Sequence, residues 1–376
     1  MTKLRILHCL ETVGSGGVEQ LKLITARELD KNRYEQALIC TQALGALPAE
    51  FRRAGCAVHE IGVFRGIFDR ERYARAVAVV RKFKPHIIHG AVYEGVAVAS
   101  LVGRLAGVPV IVGEETSDPV NRLWRGHLLY RGLTTLTHQM VAVSPAVEGY
   151  LLNGIKLARS KVTLINNGVA EPAPASAAQL RDVRNELGIH PDDFIIGSCG
   201  RLLDEHKRFS DLIHAFAIVR EHLPKARLLI VGEGPDEVML RSLAHELDVA
   251  KHVIFSGYQG DTRAFYEVMD LFALASAHEA FGLVLVEAMF ASLAVVATRV
   301  GGIPSVVNDG ETGYLVAPKA PAELADRLKI LAEDASQRRA MGRAGLARAK
   351  SDFSSDRYVR QVDELYQRLA SQRLNR

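Results

Sequence analysis

Short apolar runs alternate with amphipathic helical patterns along the first half of the chain. Apolar runs of this length, bounded by glycine or polar residues, predict buried strands, and the spacing at residues 70–83 and 96–106 predicts helices between them. Because strand–helix alternation is typical of a parallel, doubly wound sheet, the first half predicts an α/β domain. Strands are predicted at residues 5–10, 36–41, 58–61, 86–89, 108–113, 139–143 and 161–165.

A stretch of proline and small residues, 170–179, separates this half from a second series of the same kind. Its composition predicts a linker. Two similar halves predict two facing, Rossmann-like, doubly wound parallel-sheet domains with an interdomain cleft. We expect them at residues 1–170 and 171–355, with a final helix at about 356–376 packing back on the first. Strands of the second half are predicted at residues 194–199, 226–231, 253–256, 271–275, 294–298 and 313–316.

Composition supports this reading. The chain has 376 residues, more than one typical core holds, and its 48% hydrophobic and 24% charged residues are ordinary for a soluble globular protein. The apolar run at the start is too short for a signal peptide, and Arg104 interrupts the apolar run at 96–112, so neither predicts a membrane span. The cysteines form no metal-binding pattern, which favours a reducing compartment and no structural zinc. They are Cys9, Cys40, Cys56 and Cys199.

Charge is divided unevenly along the chain. Residues 1–170 carry 22 Lys and Arg against 14 Asp and Glu, a net charge of +8, and the remainder carries −4. An anionic membrane or an anionic acceptor would suit a basic half, whereas nucleic acid is disfavoured because no recognition motif accompanies the charge. Residues 65–84 and 122–131 mix cations with apolar and aromatic residues, so they either rest at a lipid interface or pack as plain amphipathic helices. A solvated basic surface remains an equal alternative.

Ligands of doubly wound sheets bind at the carboxyl ends of the strands. In the first half that edge should carry the glycine loop before residue 18, residues 114–116 and three further groups. The loop is neither a dinucleotide GxGxxG fingerprint nor a Walker A loop. Gly16 and Gly17 would let a ligand approach the backbone before a helix, although a tight turn explains them equally well. The three further groups are His89-Gly90, Ser144 and Asn166-Asn167-Gly168.

The segment 276–287 holds two glutamates, Glu279 and Glu287, with seven residues between them. Its composition predicts a helix that starts near Gly282 or Leu283. The free amides of Phe281, Gly282 and Leu283 would then suit a phosphate, and the glutamates would accept hydrogen bonds from sugar hydroxyls. That combination fits a nucleotide-sugar; a buried helix with two solvated glutamates is the alternative.

Further candidates for a phosphate site lie at other strand ends in the second half. Gly200-Arg201 follows a strand and Lys207 comes six residues later, so both cations are near enough in sequence to reach one diphosphate. Residues 232–235 and 301–304 end two more strands in glycine turns that permit close backbone approach. Either cation alone would more often be ordinary surface charge.

Taken together, these motifs resemble the retaining glycosyltransferases of the GT-B fold, family 4, also called glycosyl transferases group 1. They occur in the family's order and cover nearly the whole chain. The matching segments are Gly16-Gly17-Val18-Glu19, Val143-Ser144, Asn167-Gly168-Val169, Gly200-Arg201, Lys207, Val231-Gly232-Glu233-Gly234-Pro235, the segment from Glu279 to Glu287, and Gly301-Gly302-Ile303-Pro304.

The resemblance implies a role for each site residue. Arg201 and Lys207, beside Gly200, would bind the donor diphosphate and stabilise it as it leaves, and Glu279 would bind the transferred sugar. Because cleavage builds negative charge on the distal phosphate, fixed cations and helix amides suit the reaction. The remaining roles are ribose binding by Glu287, distal-phosphate binding by the amides of Phe281, Gly282 and Leu283, base contacts near Tyr258, and diphosphate or acceptor contacts by Gly16 and Gly17.

The resemblance also implies an activity. The chain would transfer a hexose, with retention, from a nucleotide-diphosphate sugar, most often a UDP-sugar, to a saccharide or lipid-linked acceptor in cell-surface polysaccharide or lipopolysaccharide biosynthesis. No Asp-x-Asp occurs, so we expect no metal and no other cofactor. We expect a cytoplasmic protein with peripheral contact at the anionic inner membrane face. A sugar-nucleotide epimerase of the same fold and an inactive nucleotide-sugar-binding subunit remain alternatives, and the missing GxGxxG disfavours a nicotinamide dehydrogenase.

Two positions depart from the family pattern. Many relatives have a histidine after the strand at 108–113, where this chain has Glu114 and Glu115. Either Glu115 takes a related acceptor-orienting role or that contact is absent. Many relatives also have a glutamate where this chain has Ser305 after Gly-Gly-Ile-Pro. His89 and His278 are further candidates near the cleft, although each would more often be a packed or surface histidine.

Overall fold

The computed structural model describes residues 3–14, 16–66, 69–117 and 124–374. The chain divides into two compact units. Unit 1 is Met1–Ala170 with Ser355–Arg376, and unit 2 is Glu171–Ser354. The final helix therefore belongs to unit 1, and unit 2 begins at Glu171.

In the described part of unit 1, seven strands form a parallel sheet in the order β5-β3-β1-β6-β7-β8-β9, with β2 and β4 paired separately. The sheet is Rossmann-like, as predicted. Its strands are β1 Leu4–Cys9, β2 Thr12–Val13, β3 Tyr34–Cys40, β4 Gln42–Ala43, β5 Ala57–Glu60, β6 Ile87–Ala91, β7 Val110–Glu115, β8 Gln139–Ala142 and β9 Val162–Leu164. Its helices are α1 Gly17–Glu28, α2 Leu47–Arg53, α3 Arg70–Phe83, α4 Val92–Leu105, α5 Trp124–Leu136, α6 Pro145–Gly149 and, from the chain's end, α16 Ser355–Leu374.

Both faces of this sheet are covered. One face packs apolar side chains such as Leu7, Ile88 and Ile111 against α3 and α4. On the other face α16 is fixed by polar contacts, because Asp363 accepts hydrogen bonds from Arg33 at 3.0 Å and from the Tyr34 hydroxyl. A sheet buried on both faces explains why its strands read as continuous apolar runs.

In the described part of unit 2, six strands form a second parallel sheet in the order β12-β11-β10-β13-β14-β15. Its strands are β10 Phe194–Cys199, β11 Ala226–Val231, β12 Val253–Phe255, β13 Leu271–Leu274, β14 Val295–Thr298 and β15 Gly313–Val316. Its helices are α7 Ala177–Glu186, α8 Asp204–Lys207, α9 Phe209–His222, α10 Glu237–Glu246, α11 Arg263–Glu267, α12 Leu283–Phe290, α13 Ile303–Val306, α14 Pro321–Glu333 and α15 Ala335–Asp352. Both units thus confirm the predicted class of two Rossmann-like α/β domains.

The predicted linker is too long at its end. Residues 177–179 are the first turn of α7, because Ser176 and Gln179 form a capping box that satisfies the amides at the helix start. The irregular segment therefore ends at Ser176, three residues earlier than the sequence composition indicated.

Candidate functional site

The carboxyl ends of β10 and β11 meet through glycines. A Cβ on Gly232 would lie 2.1 Å from the carbonyl oxygen of Gly200, and one on Gly234 would lie 2.4 Å from that of Leu202. The Gly200 amide donates to the Val231 carbonyl at 2.9 Å. The predicted close approach at 232–235 is therefore made by the chain's own backbone, which holds the loop after Gly200 in place.

Lys207 ends the short helix α8 and forms an ion pair with Glu279. Its Nζ lies 2.5 Å from Glu279 Oε2, and the two side chains are 23% and 15% exposed. Helix α8 is itself anchored, since the Asp204 carboxylate accepts hydrogen bonds from the amide and hydroxyl of Ser210 at 2.8 and 2.7 Å. The structure thus brings together two of the three predicted catalytic residues, and sequence reasoning did not foresee that they would pair.

The loop that carries Glu279 is held between two other loops. On one side the Ala277 amide donates to the carbonyl of His206, the residue before Lys207, at 2.8 Å. On the other side the Gly302 amide donates to the Glu279 carbonyl at 2.9 Å, and a Cβ on Gly302 would lie 2.1 Å from the Ala280 carbonyl oxygen. The glycine turn at residues 301–304 therefore packs on the loop that carries Glu279.

The N-terminus of α12 follows directly. Gly282 has φ +99°, a left-handed conformation that favours glycine, so the chain turns sharply into a helix that begins at Leu283, as predicted. Among the described residues, no hydrogen-bond acceptor is found for the amides of Phe281, Gly282 and Leu283. The Phe281 ring anchors the turn, because it is buried and contacts Phe353 edge-on with centroids 5.5 Å apart. Three unsatisfied amides beside a helix start can bind an anion.

Glu287 lies in the second turn of α12 and is half-buried. Its Oε2 accepts a hydrogen bond from the buried Tyr266 hydroxyl at 2.7 Å. Burial raises the pKa of Glu287, and the Tyr266 hydrogen bond opposes that rise. Burial, with Glu287 nearby, also raises the pKa of the Cys199 thiol at the end of β10 to about 12. Glu287 is therefore held beside the strand end that precedes Gly200.

Among the described residues, two predicted site residues, Arg201 and Tyr258, make none of the side-chain contacts given above. Arg201 is exposed, and in the described part of the chain it forms no ion pair. Tyr258 is 54% exposed and follows Gly257, whose carbonyl accepts from the Gly232 amide at 2.9 Å. Both lie in loops at the carboxyl edge of the unit 2 sheet, so the predicted diphosphate and base roles stay predictions.

In unit 1 the glycine loop is covered by a carboxylate that sequence reasoning missed. Helix α1 begins at Gly17, and the Glu19 side chain folds back so closely that a Cβ on Gly16 would lie 2.3 Å from Glu19 Oε2. Burial raises the pKa of Glu19, and the amides of Glu19 and Gly16 oppose the rise. The spacing from Gly16 to Glu19 is that of one half of a capping box, a signal available in the sequence. Contact of Gly16 and Gly17 with a ligand stays a prediction.

His89 does not lie at the strand edge, contrary to the sequence analysis. Strand β6 continues to Ala91, so His89 is buried within the sheet, where its Nδ1 is 2.7 Å from the Tyr366 hydroxyl of α16. Its Nε2 is 3.1 Å from Glu114, which forms a fully buried ion pair with Lys22 of α1 at 2.5 Å. Burial, followed by the charge of Lys22, lowers the pKa of His89 to about 4. This network joins α1, the sheet and α16.

The other expected acceptor-side residues are placed as follows. Glu115 is buried at the end of β7, and its Oε1 accepts from the Ser117 amide at 3.1 Å. The Ser305 hydroxyl donates to the Gly302 carbonyl at 2.6 Å, which stabilises the turn that packs on Glu279. The His278 ring contacts the ring of His206 edge-on. Residues 67–68 and 122–123 of the two basic segments lie outside the described residues.

Comparison with known proteins identifies the family. The family model for a glycosyl transferase 4-like domain matches residues 16–168, and the model for glycosyl transferases group 1 matches residues 181–348. The chain belongs to the group 1 glycosyltransferases.

Individual relatives match this group 1 glycosyltransferase in part. It is 36% identical over 160 residues to N-acetyl-alpha-D-glucosaminyl L-malate synthase of Bacillus anthracis, covering 43% of this chain and 42% of the relative. It is 26% identical over 231 residues to the capsular polysaccharide biosynthesis glycosyltransferase CapM of Staphylococcus aureus, covering 60% of each. The alignments thus span less than two thirds of these relatives' lengths.

Its fold is that of HepE of Anabaena, solved in complex with UDP and glucose. The TM-score is 0.87 at 21% identity, over 97% of this chain and 99% of HepE. The resemblance to GT-B glycosyltransferases stated from the sequence is therefore confirmed in family and in fold. Among the described residues of this glycosyltransferase, no helix has both the length and the apolar composition that crossing a membrane requires.

Proposed function

We propose that the protein is a retaining, metal-independent hexosyltransferase that uses a nucleotide-diphosphate sugar, with a UDP-sugar as the first candidate. The acceptor would be a saccharide or a lipid-linked saccharide in surface polysaccharide or lipopolysaccharide assembly. The observation that carries the proposal is the Lys207–Glu279 ion pair next to the unsatisfied amides of residues 281–283. The donor class is supported by HepE, which was solved in complex with UDP and glucose. The acceptor class is supported by CapM, a glycosyltransferase of capsular polysaccharide biosynthesis.

The chemistry follows from the charges. Transfer breaks the bond between the anomeric carbon and the diphosphate oxygen and forms a bond from that carbon to an acceptor oxygen, whose proton passes to the leaving phosphate. Negative charge grows on the distal phosphate, where Lys207, Arg201 and the helix amides would stabilise it. Such groups act strongly because they are held in place before the reaction begins. In retention, the acceptor approaches the same face of the sugar that the diphosphate leaves.

The ion pair gives Glu279 a second task. In the absence of donor its carboxylate neutralises Lys207 and holds the ammonium beside the helix start. A bound diphosphate would draw on the same ammonium, which leaves Glu279 free to accept hydrogen bonds from the sugar. Because both side chains are mostly shielded from water, the attraction between the Lys207 ammonium and either anion, the carboxylate or the diphosphate, is stronger than it would be on the surface.

Substitution of the pair tests the proposal. Lys207→Ala should lower transfer roughly 10²–10³-fold, the usual cost of losing one transition-state donor. Glu279→Ala should lower transfer to a similar extent, because it removes the acceptor for the sugar hydroxyls and the partner of the Lys207 ammonium. Activity is measured as nucleoside diphosphate release from UDP-, GDP- and ADP-sugars with saccharide acceptors. Lys225→Ala is the matched control, because Lys225 pairs with Asp192 at 2.9 Å on the exposed surface of the same unit.

The outcomes separate the alternatives. Wild-type turnover in Glu279→Ala or Lys207→Ala would refute the site. Conversion of the donor without any acceptor, seen by NMR, would indicate an epimerase. Donor binding without diphosphate release under any condition would indicate a non-catalytic binding subunit.

We also propose that unit 1 contacts an anionic membrane from the cytoplasmic side through α5. On this helix Trp124 is 70% exposed and Leu128, one turn later, is 63% exposed. The Arg125 guanidinium lies 5.3 Å from the Trp124 ring centre, so a cation accompanies the exposed aromatic ring. Exposed apolar side chains with adjacent cations suit a lipid interface.

A further inference from the structure

We infer that Tyr266 is a positioning residue that holds Glu287 for the ribose of the donor and thereby sets discrimination between ribose and 2′-deoxyribose. This inference rests on the proposed function, because it assumes that a nucleotide donor binds in unit 2. It assigns to Tyr266 a part in specificity, exerted through Glu287 rather than by contact with the sugar.

The position of Tyr266 is fixed by the core. It lies on α11, is 4% exposed, and its ring packs on Phe272 of β13 with centroids 5.6 Å apart. Its hydroxyl reaches Glu287 Oε2 at 2.7 Å. Helix α11 is tied in turn to the start of unit 2, since Glu267 accepts from the Ala175 amide at 2.7 Å. A rigid donor therefore sets the direction of the Glu287 carboxylate.

The hydroxyl remains a donor at any working pH. Burial, Cys199 and Glu287 together raise the pKa of Tyr266 well above its ordinary value, and the Cys199 thiol also stays neutral. The hydrogen bond therefore occupies one carboxylate oxygen of Glu287 and leaves Oε1 to accept from a ligand hydroxyl. An ionised carboxylate fixed in this way discriminates best between ribose and 2′-deoxyribose, because a ligand without the 2′-hydroxyl leaves Oε1 unpaired.

Loss of the Tyr266 hydroxyl should weaken this selection without removing Glu287. The carboxylate would gain rotational freedom and lose the interaction that offsets its burial. A carboxyl group that rotates or takes up a proton distinguishes a ribose from its 2′-deoxy analogue poorly. Binding of the 2′-deoxy nucleotide should change less, because it offers the Glu287 carboxylate no 2′-hydroxyl.

The test compares Tyr266→Phe with wild type by calorimetric titration with UDP, GDP and ADP and with their 2′-deoxy counterparts. For the base that binds, wild type should prefer the ribonucleotide by roughly tenfold to a hundredfold, the range for a hydrogen bond to a charged group. Tyr266→Phe should reduce the preference to within about threefold. Tyr314→Phe is the matched control, because its hydroxyl accepts from Gln337 at 3.1 Å elsewhere in unit 2.

Glu287→Gln separates positioning from a general structural effect. It should also lower the preference, and the Tyr266→Phe/Glu287→Gln double variant should show no further loss, because both changes act on one interaction. Additive losses, or an unchanged preference in Tyr266→Phe, would overturn the inference while the proposed function stands. If wild type bound none of the nucleotides, the proposed function and this inference would both be overturned.

Discussion

Gly302 offers the sharpest test of how the loop that carries Glu279 is held. Its φ of −82° and ψ of −11° suit any residue, so Gly302→Ala introduces no backbone strain. The added methyl group would instead lie 2.1 Å from the Ala280 carbonyl oxygen and 2.9 Å from the Phe281 Cα. In the folded chain the substitution therefore acts through this steric contact.

The magnitude follows from these distances. Non-bonded heavy atoms keep about 3.5 Å apart, so the backbone from Glu279 to Phe281 must move by roughly 1 Å. A misplacement of about 1 Å in a catalytic group can lower the rate about 10²-fold. Overpacking of this kind costs about 1–3 kcal/mol of stability, and each kcal/mol lowers Tm by about 2–4 °C in a domain of this size.

The assay is kcat/KM for donor-dependent nucleoside diphosphate release, with thermal unfolding measured in parallel. We expect Gly302→Ala to lose about 10²-fold in kcat/KM while it still unfolds cooperatively. Gly260→Ala is the control, because a Cβ at that position meets no atom within 4 Å. If Gly302→Ala kept kcat/KM within about threefold of both wild type and Gly260→Ala, the reasoning from close packing to catalysis would be refuted.

Two further predictions concern unit 1. Because burial and Lys22 lower the pKa of His89 from 6.5 to about 4, the unfolded chain binds a proton between these values that the folded chain does not. The free energy of unfolding should therefore fall as the pH is lowered from about 6.5 to 4, by up to about 1.4 kcal/mol per pH unit for this group, and Tm should fall with it. His89→Gln should flatten the profile, and an equally steep profile would contradict the assignment. The fluorescence of Trp124, the only tryptophan, should shift to the blue with phosphatidylglycerol vesicles but not with phosphatidylcholine vesicles. Leu128→Ser should weaken that binding about tenfold, and unchanged binding would exclude α5 as the contact.

The strands of unit 2 show what the sequence could predict. Those at Phe194–Cys199, Ala226–Val231 and Gly313–Val316 have the predicted bounds, because each is an apolar run that ends at a glycine, proline or small residue. The paired strands Thr12–Val13 and Gln42–Ala43 were not predicted, since two residues show no periodicity. The linker was predicted from composition alone to continue past Ser176, although the capping box of Ser176 and Gln179 could have been recognised in the sequence.

The site was predicted as a set of residues but not as a set of contacts. The Lys207–Glu279 pair spans 72 residues, Tyr266–Glu287 spans 21, and Lys22–Glu114 spans 92. Single-sequence patterns report neighbours within one helix or strand, so none of these partners was visible. Each partner appears only when the fold packs elements that are distant in sequence: α8 against the loop of Glu279, α11 against α12, and α1 against β7.

Unit 1 is assembled from two ends of the chain, and this has a consequence for biosynthesis. Helix α16 covers the sheet face that holds His89 and the Lys22–Glu114 pair, yet it is synthesised only after the whole of unit 2. At about 5–20 residues per second, synthesis of unit 2 delays it by roughly ten to forty seconds. During that interval this face of the sheet is exposed to solvent and must not aggregate. Its contacts with α16 include tyrosine hydroxyls and an ion pair, and such polar groups are well solvated before the helix arrives.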